Sequence, residues 1–133
     1  MKLTNREVFE SRAPLQVLMD VKFPVKVSYA LAKLVGRLNP HLKAIEEVRG
    51  ALVRQYGKPG PMNQVLVQES DEGYPEFVEK FSELMAIEVE LDYEPHIVLP
   101  LEAGGGPLEV TPAALVALER FITLEGAEDG KTQ

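Results

Sequence analysis

The chain contains no cysteine and no tryptophan, and only two histidines among its 133 residues. Without cysteine there is no disulfide framework, no thiolate metal site and no thiol nucleophile. No apolar run approaches the ~18–20 residues that a membrane helix needs. The opening MKLTNREVFESRAP places charge directly after Leu3 and has no apolar stretch of the kind a secretory leader carries. These absences exclude a membrane partner and point to a cytoplasmic protein. Asparagine is also scarce (Asn5, Asn39 and Asn63), while proline, glutamate, leucine and valine are plentiful. A thermophilic source leaves that composition.

What is present describes a globular chain. Hydrophobic residues make up 45% and charged residues 26%, enough apolar surface to close a core and too little charge for a disordered segment. The net charge of −7 hides an asymmetry. Residues 1–58 carry eleven Lys and Arg against five Asp and Glu, a net of +6. Residues 59–133 carry three against sixteen, a net of −13. The basic residues are interspersed rather than run together, so the favoured reading is a basic region packed beside an acidic one and partly neutralised by it.

Thr4-Asn5-Arg6-Glu7 is a capping box that starts a helix at about residue 5. Pro14 removes a backbone donor, which predicts a break or restart near Ala13. Pro24 suits the first turn of a second helix. In that helix Val27, Leu34, His41 and Val48 recur every seven residues, as do Leu31, Leu38, Ile45 and Leu52. The two sets form an a/d seam that calls for an apolar partner. Pro40 lies inside it, which predicts one kinked helix or two collinear ones with Asn39 as the second N-cap. The run Gly57-Lys58-Pro59-Gly60-Pro61 reads as a stiff linker that supports neither helix nor strand.

A short strand is expected over Val65–Gln68, and Pro75 opens a helix with Phe77, Phe81, Leu84 and Met85 on one face. The period then changes to two. Val89, Leu91 and Tyr93 alternate with acids, and Ile97, Leu99 and Leu101 alternate again, which predicts two short antiparallel strands around Glu94-Pro95 or one bent ribbon. Leu108 and Val110 add a last short strand after the Gly104–Gly106 loop. Thr111-Pro112 caps and opens a helix that presents Leu115, Leu118, Phe121 and Ile122. The fold class is α+β: an N-terminal helical hairpin or long kinked helix, then a small antiparallel sheet flanked by two helices. One domain over 1–125 is expected, with a helical part at 4–56, a linker at 57–63, a sheet-and-helix part at 64–124, and a disordered tail at 126–133.

The residues carry no recognisable chemistry. His41 falls on the seam and reads as a half-buried structural histidine. Glu88, Glu90, Asp92, Glu94 and His96 would share one face of an extended strand, an arrangement that can bind a divalent metal. Pro95 interrupts it, and the favoured reading is a solvated face whose charge prevents edge-to-edge pairing. The glycine run 104–106 is followed by Pro107, Leu108 and Glu109, not by the Lys-Ser/Thr of a phosphate loop. No GxSxG elbow occurs. No enzyme, no metal and no cofactor is expected. Lys22, Lys26, Lys33, Arg37 and Lys43 could meet phosphates, but aromatic interleaving is poor and no reader motif occurs, so nucleic acid ranks low among partners.

Three runs share a resemblance: FPVKVSYALAKLVGRLNPHLKAIEEVRGALVRQYG, EFVEKFSELMAIEVELDYEPHIVLP and VTPAALVALERFI. In that order they resemble the core, middle and end of a family of small proteins encoded by tailed bacteriophages, whose function is unknown. The resemblance covers most of the chain from Phe23 to Ile122. It implies a phage context and no particular activity. The expectation is a non-catalytic binding protein that targets host machinery, with the host RNA polymerase or its sigma factor as partner in a thermophile phage. The residues expected to carry the contact are Arg37, Lys43, Arg49 and Arg54 on the basic side and Glu88, Glu90, Asp92 and Glu94 on the acidic side. A virion or morphogenesis component is the alternative, and a nucleic-acid-binding protein the third. A monomer is slightly favoured over an oligomer.

Overall fold

A computed structural model describes residues 1–92 and 94–126, so the tail expected at 126–133 lies outside the described residues from 127 onward. The capping box forms as read: the Glu7 amide donates to Thr4 Oγ1 at 3.2 Å, and the Thr4 amide donates to Glu7 Oε1 at 2.9 Å. Helix α1 follows over Asn5–Met19, after a short strand β1 at Lys2–Thr4. The break expected near Ala13 does not occur. Pro14 removes one intrahelical bond, a cost of about 3 kcal/mol in a helix interior. The apolar face continues past it, with Val8, Leu15 and Leu18 all buried. That burial holds the helix together.

Helix α2 runs unbroken over Val25–Tyr56, so Asn39 lies inside it and caps nothing. Pro40 and Gly36 both sit on the exposed side. Water can therefore take the Gly36 carbonyl that the proline ring leaves without a donor. The seam is real in its middle, where Leu31, Leu34, Leu38 and Ile45 are buried. Val27, His41 and Leu52 are half-buried, and Val48 is exposed. Its partners are α1 and helix α3, at Tyr74–Ala86, so the chain itself covers the middle of the seam.

The linker departs from expectation. Lys58–Pro59 (β2) pairs antiparallel with Val65–Leu66 (β3) around a 3-10 turn at Pro61–Asn63, and Met62 has φ of 59°. A pair two residues long needs no alternating pattern, so composition could not reveal it. The strand expected at Val65 stops at Leu66.

The strands beyond α3 do not form the expected hairpin at Glu94-Pro95. Strand β4 (Glu88–Glu90) pairs antiparallel with β1, Leu3 opposite Val89. Strand β5 (Ile97–Leu99) pairs in parallel with β8 (Ile122–Leu124). Between them lie the hairpin β6–β7 (Glu102–Ala103 with Gly106–Pro107) and helix α4 (Pro112–Leu118), which together make the crossover that a parallel pair requires. Gly104 and Gly105 have φ of 68° and 88°, the doubly positive backbone that a tight hairpin turn demands. Leu108 and Val110 form no strand. Thr111 caps α4 by accepting the Ala114 amide at 3.1 Å, but the helix ends at Leu118, so Phe121 and Ile122 reach the core from the turn and from β8.

The architecture is α+β, with four two-stranded pairs among the described residues in place of one sheet. Its buried cluster draws on both parts of the chain, from Leu3 and Val8 through Leu38 and Ile45 to Leu99 and Phe121. Asn5 locks the two parts together. Its side chain donates to the Leu84 carbonyl at 3.0 Å, and its amide donates to the Ile87 carbonyl at 2.8 Å.

Candidate interaction surface

The eight residues expected to carry a contact do not form two clean faces. Arg37 pairs with Asp92 across the boundary between the basic and acidic regions. Arg49 reaches Glu46 at 3.5 Å, and the same carboxylate takes Arg12 of α1 at 3.2 Å. Arg120 Nε lies 2.5 Å from Glu7, again joining the acidic half to the basic one. Each such exposed pair contributes only about 0.2–1 kcal/mol. Their effect is to consume part of the expected charge contrast. Lys43 stays exposed beside a shallow recess between α1 and α2, and Arg54 lies in the last turn of α2.

The acidic ladder is also broken. Glu88 and Glu90 point outward from β4, and Glu90 lies 3.9 Å from the chain's N-terminal ammonium. The pairing continues one step further, since the buried Leu91 donates its amide to the Met1 carbonyl at 2.8 Å and accepts from the N-terminal ammonium at 3.1 Å. Asp92, Glu94 and His96 are exposed but belong to no strand. They share no face with Glu88. Among the described residues no three histidine, aspartate or glutamate side chains come close enough to hold a metal ion. Glu76 hydrogen-bonds the Tyr56 hydroxyl and raises its pKa, with burial and the nearby Glu79 adding to the shift.

Two features escaped the sequence pattern. The first is a groove of about 590 Å³ between α1 and α4, with Ala13, Ala113, Ala114 and Ala117 in its lining and Val17 at its edge. Its walls come from helices 90 residues apart in sequence, so no local spacing announces it. The second is an exposed apolar strip at the start of α2, where Val25 is 84% and Tyr29 is 70% exposed. A signal for the strip does exist: both residues are apolar, one turn apart and off the heptad seam. Among the described residues no helix is long and apolar enough to cross a membrane. No protein-family model matches the chain, and comparison with curated proteins and with solved structures finds no match either.

Proposed function

We propose that this chain is a phage-encoded, non-catalytic protein that binds host machinery, with the host RNA polymerase or its sigma factor as its partner. The observation that supports the binding role is the exposure of Val25 and Tyr29, one turn apart on the same helix and close in sequence to Lys22 and Lys26. Exposed tyrosine is among the residue types enriched at protein contact sites. The phage context rests on the sequence resemblance, and the choice of polymerase on the charge contrast, which favours steered association with a large charged partner.

Affinity capture from host lysate with the tagged chain, read by mass spectrometry, tests this reading. Stoichiometric recovery of polymerase subunits or sigma factor is the expected result, with recovery reduced at least tenfold by Tyr29→Ser. Recovery of capsid or tail proteins from infected cells, with no polymerase, would refute it and support a virion or morphogenesis role. That second reading is favoured by the groove between α1 and α4, a concave apolar surface of the kind assemblies use.

A further inference from the structure

The groove and the strip are comparable in length and opposite in charge. Along α1 the groove is lined from Glu10 to Leu18, a span of about 12 Å at 1.5 Å per residue. Its alanines leave room for a third helix to approach closely, and Val17 remains 60% exposed at its edge. Glu10 and Glu109 border it, and neither has an ion pair among the described residues. On α2, Val25, Tyr29, Ala32 and Gly36 follow one another at helical spacing on the exposed side, over about 16 Å. Lys26 lies in the first turn of α2 beside the strip, and Lys22 precedes it at a recess it shares with Glu109 of its own chain; neither lysine has an ion pair among the described residues.

We infer that the groove between α1 and α4 receives the start of α2 from a second copy of this chain. Tyr29 is the anchor that fills the groove, Ala32 and Gly36 let the helices come close, and Lys22 and Lys26 meet Glu10 and Glu109. Gly36 has no atom near the position a Cβ would occupy, so its surface is open to a neighbour. Each copy then donates one strip and accepts another, so the contact either closes reciprocally or continues from copy to copy. Two to three helical turns bury less than the ~1,200 Å² of a standard stable interface, so the association is weak and depends on concentration.

Sedimentation velocity from about 1 μM to about 1 mM tests the contact, because a weak interface of this kind dissociates within that range. The full-length chain is expected to gain mass with concentration and to lose it in high salt. The pair Glu10→Lys/Glu109→Lys should be monomeric throughout, as should Lys22→Glu/Lys26→Glu. An equimolar mixture of the two should associate again, since each reversed surface then finds a complement. Restoration also proves both variants folded. Tyr29→Ser, which alters no charge, should weaken association about tenfold with unchanged circular dichroism. A chain monomeric at all concentrations would overturn the assignment. So would association indifferent to both reversals, or reversals that abolish it without rescue on mixing while circular dichroism stays native. A monomer whose groove instead binds a synthetic Leu/Lys helix, and loses it on Val17→Arg, would assign the groove to a foreign basic helix.

Discussion

Replacing Leu38 by alanine and comparing the result with Val48→Ala separates two explanations of the long helix. Both residues lie on the heptad seam of α2. In a coiled coil between copies, every seam position would be covered and the two substitutions would cost alike. Here Leu38 is 0% exposed and Val48 is 45% exposed, because α1 and α3 cover only the middle of the seam. Leu38→Ala removes a fully enclosed isobutyl group and leaves a cavity, at about 3 kcal/mol. A half-solvated valine loses at most about 0.5 kcal/mol on truncation. With a chain of this size, 3 kcal/mol lowers the melting temperature by roughly 10–15 °C. Urea titration followed by far-ultraviolet circular dichroism gives both values, and the slope should stay constant. Equal losses at the two sites would refute the intramolecular packing described above.

Pro40→Ala should raise stability by about 1–2 kcal/mol, because it restores a donor for the Gly36 carbonyl, offset in part by a freer unfolded chain; a loss in the same urea titration would assign the proline a structural role. Thr4→Ala should cost about 1 kcal/mol in that assay, and Thr4→Ser much less, because the capping oxygen is what matters. Gly104→Ala should cost about 1 kcal/mol, since its φ of 68° strains any residue with a Cβ. Glu76→Gln should lower the Tyr56 pKa toward the ordinary tyrosine value, visible as an earlier rise of phenolate absorbance in an alkaline titration. The sign follows from the raised folded value: the contribution of Tyr56 is complete below the ordinary tyrosine pKa of about 10 and is lost as pH rises through the higher folded one.

Local chemistry was legible and long-range pairing was not. The capping box at Thr4 and the N-cap at Thr111 have stereochemistry that needs only four residues, and both were found at their positions. The centre of the α2 seam was readable because burial imposes its period directly on the sequence. Strand partners were not. Alternation at Val89 and Leu91 reports a buried face, but Leu3 lies 86 residues earlier and no pattern in the chain names it as the neighbour of Val89. The break expected at Pro14 was an over-reading for the same reason in reverse, whereas one helix through Pro40 is among the two arrangements expected. A local cost of a few kcal/mol breaks an isolated helix, yet Pro14 and Pro40 sit in helices whose opposite faces are buried by the rest of the protein. As for the contact residues, the basic and acidic sides expected from the sequence are joined in part by pairs such as Arg37 with Asp92, which local patterning does not reveal.

The two faces of α2 also bear on how the proposals relate. A helix needs only one apolar stripe to dock on its own core, and α2 has that stripe in Leu31, Leu34, Leu38 and Ile45. A second stripe beginning at Val25 and Tyr29 stabilises nothing inside the chain and adds to its tendency to aggregate. One strip cannot lie in the groove of a second copy and against a polymerase at once, so self-association and partner binding compete for Tyr29. By mass action, a partner that binds the strip must dissociate the assembly. Adding that partner to a concentrated sample should therefore release monomer-partner complexes in sedimentation velocity. A partner that leaves the assembly intact must bind elsewhere, and the outward carboxylates Glu88 and Glu90 on β4 are the charged surface that remains for it.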